Sequence, residues 1–147
     1  MEVLDPEHSG INLFDDDWKI YSRNSGMTGH KISSQAVVEN SMITDGCRIG
    51  GHVKHSVLFA GVIVEPGARV EDAVIMGGTV IKAGAVAEHC IIAENVVIGE
   101  NARVGAMPRD ESAGVATVGS GVYIGDGAVI GPDAMVEHNV KDGEEEW

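Results

Sequence analysis

From residue 32 onward, aliphatic residues recur at nearly every fifth or sixth position. The series runs Ile32, Val38, Ile43, Ile49, then Leu58, Val64, Val70, Ile75, Ile81, Ala87, Ile92, Ile98 and Val104, and resumes at Val118, Ile124, Ile130 and Val136. A helix needs apolar spacings of three and four and a half-buried strand needs two, so neither template describes it. A fixed short repeat marks a stacked architecture, and a hexapeptide period is that of a parallel β-helix. Leu58, Ile75 and Ile92 lie seventeen residues apart, each interval divided as six, six and five. That gives three faces to each coil, hence a triangular prism with one large aliphatic pointing inward per face.

Two further positions keep the same register. A small residue follows the anchor by four places at Ala68, Ala85, Ala102, Ala128 and Ala134, with Cys47 and Thr79 in the same role. Gly or Asn follows by three at Gly46, Gly61, Gly67, Gly78, Gly84, Asn95, Asn101, Gly121 and Gly127. These are the residues that enter left-handed backbone at least cost, so they are the expected corners. Composition agrees: 20 Val and 13 Ile stand against 3 Leu, with 20 Gly and few aromatic rings. β-branched side chains fit extended backbone and restrict helix rotamers, so the fold class is all-β.

The register breaks twice. Ile49 to Leu58 is nine residues, divisible as four and five through Val53, which predicts one shorter coil. Between Val104 and Val118 the segment Gly105–Thr117 is expected to leave the prism as a loop, its Pro108, Gly114 and mixed charges fitting a solvated excursion. The organisation expected is therefore an arm over 1–31, a β-helix over 32–140 with loop 105–117, and an acidic tail over 141–147. The arm holds Phe14, Trp18 and Tyr21, half of the aromatic residues, in the run Asn12–Asn24. Its rings suit a cap over the open first coil or a linker. The tail, ending in Asp142–Trp147, reads as disordered.

Charge narrows the function classes. Ten Lys and Arg against 23 Asp and Glu give a formal net charge of -13, which opposes nucleic-acid backbone and anionic membrane surfaces alike. No apolar run reaches the roughly 18–20 residues of a bilayer span, and Met1–Gly10 carries acids where a signal peptide carries bases. Cys47 and Cys90 stand without CxxC spacing, as expected of packing thiols in a reducing, cytoplasmic setting.

Among chemically active residues, the register places Asn40, His55, Asp72 and His89 at equivalent corners on successive coils. Coils stack about 4.7–4.9 Å apart, so Asp72 should stand between two imidazoles. A carboxylate in that place orients a histidine, which makes His55 and His89 candidate general bases; the alternative is a solvated polar corner that stacks only because the backbone does. A straight ladder spreads its members along the axis, whereas zinc needs converging ligands, so no metal site is assigned. His52 and His55 share an HxxH spacing that suits a helix better than a β corner, and His8, His30 and His138 are isolated. Asp15–Asp17 reads as a solvated acidic run. No phosphate-cradling glycine loop and no GxSxG elbow occurs.

The segments NLFDDDWKIYSRN (Asn12–Asn24), NSMITDGC (Asn40–Cys47), HSVLFAGVIVEPGARVEDAVIM (His55–Met76) and HCIIAENVVIG (His89–Gly99) resemble the C-terminal domain of the ADP-glucose pyrophosphorylases, or glucose-1-phosphate adenylyltransferases. The resemblance covers nearly the whole chain. It implies a left-handed β-helix attached to an N-terminal nucleotidyltransferase domain that joins ATP and glucose 1-phosphate to give ADP-glucose and pyrophosphate for glycogen or starch. ATP and magnesium would belong to that domain, and this one would hold no cofactor. The resemblance further implies a non-catalytic role in homo- or hetero-oligomer (tetramer) assembly and in effector control. Members controlled by anions place bases near corners that here read Ala87-Glu88-His89-Cys90 and Val118-Gly119-Ser120-Gly121, which counts against a strong anion site. Arg23, Arg48, Lys54 and Arg109 are the bases left to face an anionic effector. Two enzyme alternatives remain: a stand-alone hexapeptide acyltransferase working as a trimer with His52, His55 or His89 as general base, and a zinc-dependent trimer of the carbonic-anhydrase kind.

Overall fold

The computed structural model describes residues 26–108 and 114–147, together with Leu4, Asn12 and Asp15–Asp17. Strands of two or three residues, separated by tight turns, stack into three parallel sheets. The first sheet runs from Lys31–Ile32 through Arg48–Ile49, Ile63–Val64, Val80–Ile81 and Val97–Ile98 to Tyr123–Ile124. The second runs from Val37–Glu39 through His52–Lys54, Arg69–Glu71, Val86–Glu88, Arg103–Val104 and Val129–Ile130 to Glu145–Glu146. The third contains Met42–Ile43, Val57–Leu58, Val74–Ile75, Cys90–Ile92, Ala116–Val118 and Met135–Val136. The chain visits the sheets in rotation, which makes a parallel β-helix.

The pairing register follows the repeat. Val57 pairs with Val74 and Val74 with Ile91, the seventeen-residue coil. Val37 pairs with His52 and Met42 with Val57, fifteen residues apart, which is the shorter coil through Val53. Ile91 pairs with Thr117, so the extra length of that coil leaves the stack between Arg103–Val104 and Ala116–Val118. Aliphatic anchors from Ile49 onward are buried, whereas Ile32 in the first described coil is 45% exposed because nothing described stacks beneath it. Ala68, Ala85, Ala102 and Ala128 fill the small inward sites, and Cys47, Cys90 and Thr79 are buried beside them. Both cysteines are free thiols.

Two expectations are corrected. The excursion ends at Val115 rather than Thr117: Ala116–Val118 is a strand, because Ala116 takes a buried inward site and Val118 the anchor position. The acidic tail is ordered. Glu145–Glu146 pairs with Val129–Ile130, and Trp147 lies over Gly131, where a Cβ would sit 2.5 Å from the indole Cε3. Backbone pairing therefore continues to the last residues although the side chains are charged. The aromatic residues of the arm (Phe14, Trp18 and Tyr21) lie outside the described residues, and with them the capping or linking role read for that segment.

Candidate functional site

The three prism edges are turned differently. Between the first and second sheets stand Gly67, Gly84, Asn101 and Gly127; between the third and first stand Gly46, Gly61, Gly78, Asn95 and Gly121; all have positive φ. Between the second and third sheets the left-handed residues are Asp133 near the last coil, with φ of 67°, and the run Asn40, His55, Asp72 and His89, with φ of 38°, 45°, 50° and 45°. Gly105 (φ 73°) occupies the next rung, where a Cβ would collide with the Glu88 carbonyl oxygen, and the 105–115 excursion departs from it.

Along this third edge the side chains join. Asp72 Oδ1 lies 3.1 Å from His55 Nδ1, and Asp72 Oδ2 lies 2.5 Å from His89 Nδ1. An ionised carboxylate only accepts, so each Nδ1 carries the donated proton, and in the neutral ring Nε2 is left as an acceptor. The Asp72 side chain is 18% exposed, and His55 and His89 are 38% and 21%. Ser56, fully buried, supports the rung: its Oγ donates to the Lys54 carbonyl and accepts from the Ala73 amide.

A second row of polar groups runs beside the first on the outer face of the second sheet. Glu71, 7% exposed, accepts from Lys54 Nζ at 2.9 Å and from Arg69 Nε at 3.1 Å, with Arg69 Nη2 also on the same carboxylate. The Arg69 and Lys54 hydrogen bonds hold the Glu71 carboxyl below the ordinary glutamate range, against the opposing effect of burial. Arg69 Nε also lies 3.6 Å from Glu88 Oε1. A cavity of about 540 Å³ opens over Glu39, Asn40, Lys54, His55 and Asp72, with Met107 of the excursion at its rim. A second, of about 210 Å³, lies across Asp72 at His89, Val74, Ile91 and Val115. Cys90 backs this second cavity, but burial, followed by the charges of Asp72 and Glu88, pushes its thiol up to about 12, so it is no nucleophile at neutral pH.

The bases named as candidate effector contacts are not brought together. Arg48 lies on the first sheet and Lys54 on the second, where Glu71 holds it; Arg23 and Arg109 lie outside the described residues. His52 faces outward on the second sheet, and His138 sits near the last coil with Glu146 Oε1 at 3.2 Å. Among the described residues no group of three or more His, Cys, Asp or Glu is arranged to hold a metal ion. Reasoning from sequence missed the Lys54–Glu71–Arg69 cluster, although Glu71 and Lys54 occupy equivalent places one coil apart and so signal a cross-strand ion pair.

The outer row of the third sheet is different again. Met42, Val57, Val74, Ile91, Thr117 and Met135 form one uncharged strip, with Ile91 39% and Met135 75% exposed.

Comparison with known proteins places this geometry. Glucose-1-phosphate adenylyltransferases of Bacillus thuringiensis (strain Al Hakam) and Bacillus anthracis are 51% identical to the chain over 78 residues, covering 53% of this chain and 20% of theirs. The enzyme of Bacillus mycoides (strain KBAB4) is 50% identical over the same length. The aligned part is thus about a fifth of the curated relatives it matches. Among solved structures, the acetyltransferase domain of PglB from Neisseria gonorrhoeae FA1090 superposes with a TM-score of 0.57 at 21% identity, covering 81% of this chain and 54% of that one. That likeness is one of fold. The profile of the GlmU-like, C-terminal hexapeptide family matches residues 25–124, more than half of the sequence, and its repeat is the one the three sheets display: the chain belongs to that hexapeptide family.

Proposed function

We propose that the chain is the assembly and regulatory module of a glucose-1-phosphate adenylyltransferase, without turnover of its own. The observation that carries this reading is the 51% identity over 78 residues to such enzymes. In this reading a nucleotidyltransferase domain supplies the reaction of ATP with glucose 1-phosphate, and the nucleotide and magnesium sites belong to it. The absence of a phosphate-cradling loop from the sequence supports that division of labour, as does the lack of converging metal ligands among the described residues. The uncharged strip on the third sheet suits docking to that domain or to another subunit of a tetramer, because a chain of net charge -13 associates most readily where it presents no charge. The setting is cytoplasmic in this proposal, which fits two buried free thiols; among the described residues no helix is long and apolar enough to cross a membrane.

The test has two arms. The purified chain, supplied with ATP, magnesium and glucose 1-phosphate, should make no ADP-glucose. Mixed with the Bacillus anthracis enzyme shortened to its nucleotidyltransferase part, it should form a complex by light scattering, lost in Ile91→Glu. Turnover by the chain alone overturns the reading, as does failure to associate.

A second reading, a trimeric hexapeptide acyltransferase, is favoured by one observation: Asp72 engages Nδ1 of both His55 and His89, the orientation that leaves Nε2 as a general base. Release of coenzyme A thiol with an amine or sugar acceptor, abolished in His55→Ala, would select it over the first.

A further inference from the structure

Left-handed backbone costs any residue with a Cβ, least for asparagine, aspartate and histidine, and glycine escapes the cost altogether. The other two edges lower that cost with Gly and Asn. Here His55, Asp72 and His89 keep it on three successive coils, and the three side chains bond to one another. Backbone stacking alone does not call for them.

The geometry points to a binding site at this edge for a neutral polyhydroxylated small molecule, a sugar or polyol, seated in the 540 Å³ cavity over His55. That volume lies within the roughly 300–1,000 Å³ of small-molecule sites. Asp72 uses both carboxylate oxygens on the imidazoles, so its role is to position them, and His55, the ring that lines the cavity, accepts through Nε2 in its neutral form. Among the described residues neither Nε2 has a hydrogen-bond partner. The cavity wall adds the Glu39 carboxylate as a further acceptor and the Asn40 amide and Lys54 ammonium as donors. Interleaved donors and acceptors match hydroxyl groups, each of which donates and accepts.

Other ligand classes fit less well. An anion would meet Glu39, Glu71 and Asp72 against one Lys54 whose ammonium Glu71 already holds. A metal ion lacks converging ligands among the described residues. Met107, exposed at the start of the excursion, lines the cavity and offers apolar contact to the carbon face of a ring. The inference stands on this chain's own residues and holds whether or not the chain serves an adenylyltransferase.

The experiment follows the histidine ring resonances of the full 147-residue chain by NMR during titration with D-glucose, and separately with inorganic phosphate. Glucose should shift the His55 ring saturably, with a Kd on the order of 1 mM, the scale of a few net hydrogen bonds. The His30 and His138 rings should stay in place, and phosphate should give no saturable shift. His55→Gly, which suits the backbone at φ 45°, and Asp72→Asn should each weaken glucose binding by about tenfold or more with the amide spectrum still that of a folded chain. A His55 ring unmoved by glucose, binding in either variant as tight as in the parent chain, or saturable binding of phosphate would each overturn the site.

Discussion

Two kinds of edge hold this prism together. Where Gly67, Gly84, Asn101 and Gly127 turn the chain, the backbone sets the residue: positive φ leaves glycine and asparagine as the low-energy choices. Where Asn40, His55, Asp72 and His89 turn it, φ is also positive, at 38–50° against 57–81°, and yet two imidazoles and a carboxylate are present. The difference separates residues kept for the fold from residues kept for what their side chains do. A charged edge beside a plain one, on the same coils, is an internal control.

Substitutions break or sharpen this contrast. The largest effect is expected at Gly105, the rung where the His edge ends. A Cβ there meets the Glu88 carbonyl oxygen and φ is 73°, so Gly105→Ala should cost about 3 kcal/mol in denaturant unfolding. Glu71→Gln comes next, at about 2 kcal/mol near pH 7, since it removes the carboxylate that Lys54 and Arg69 share. Its pH dependence has a definite sign. The folded carboxyl is held below the ordinary value, so Glu71 contributes stability above that value and loses it as pH falls through the folded one. The variant should therefore show a shallower acid limb than the parent chain. Gly121→Ala is smaller, about 1 kcal/mol, because open space surrounds the added methyl and only the backbone objects. At Cys90, behind the His edge, the expected effect is chemical: iodoacetamide at pH 8 should leave it unmodified in the folded chain and label it in denaturant.

Much of this fold could be read from the order of residues because a β-helix is nearly one-dimensional. Each coil repeats the same few constraints, so Ile75 and Ile92 predict their own pairing, and Val53 marks the short coil. The placing of Asp72 between His55 and His89 follows from the same register, since the corner residues stack wherever the strands do. What the repeat does not encode is harder to see. The tail carries Glu145 and Glu146 where Ile or Val would be expected, so it reads as disordered; its order comes from main-chain pairing with Val129–Ile130 and from Trp147 over Gly131, both insensitive to side-chain period. The end of the excursion at Val115 was hidden because Ala116 is small in a loop and small in an inward site alike. The cavity over His55 depends on where Met107 stands as the chain leaves the prism, and no spacing rule reports that.

The central contrast is open to one direct measurement, the thermal unfolding of a chain carrying His55→Gly, Asp72→Gly and His89→Gly together. If the edge is kept for its side chains, relief of the strained corners offsets the two lost hydrogen bonds, and Tm should stay within about 3 °C of the parent chain, equivalent to about 1 kcal/mol for a domain of this size. A fall of about 10 °C or more would show that the ladder holds the fold together, and would contradict the account.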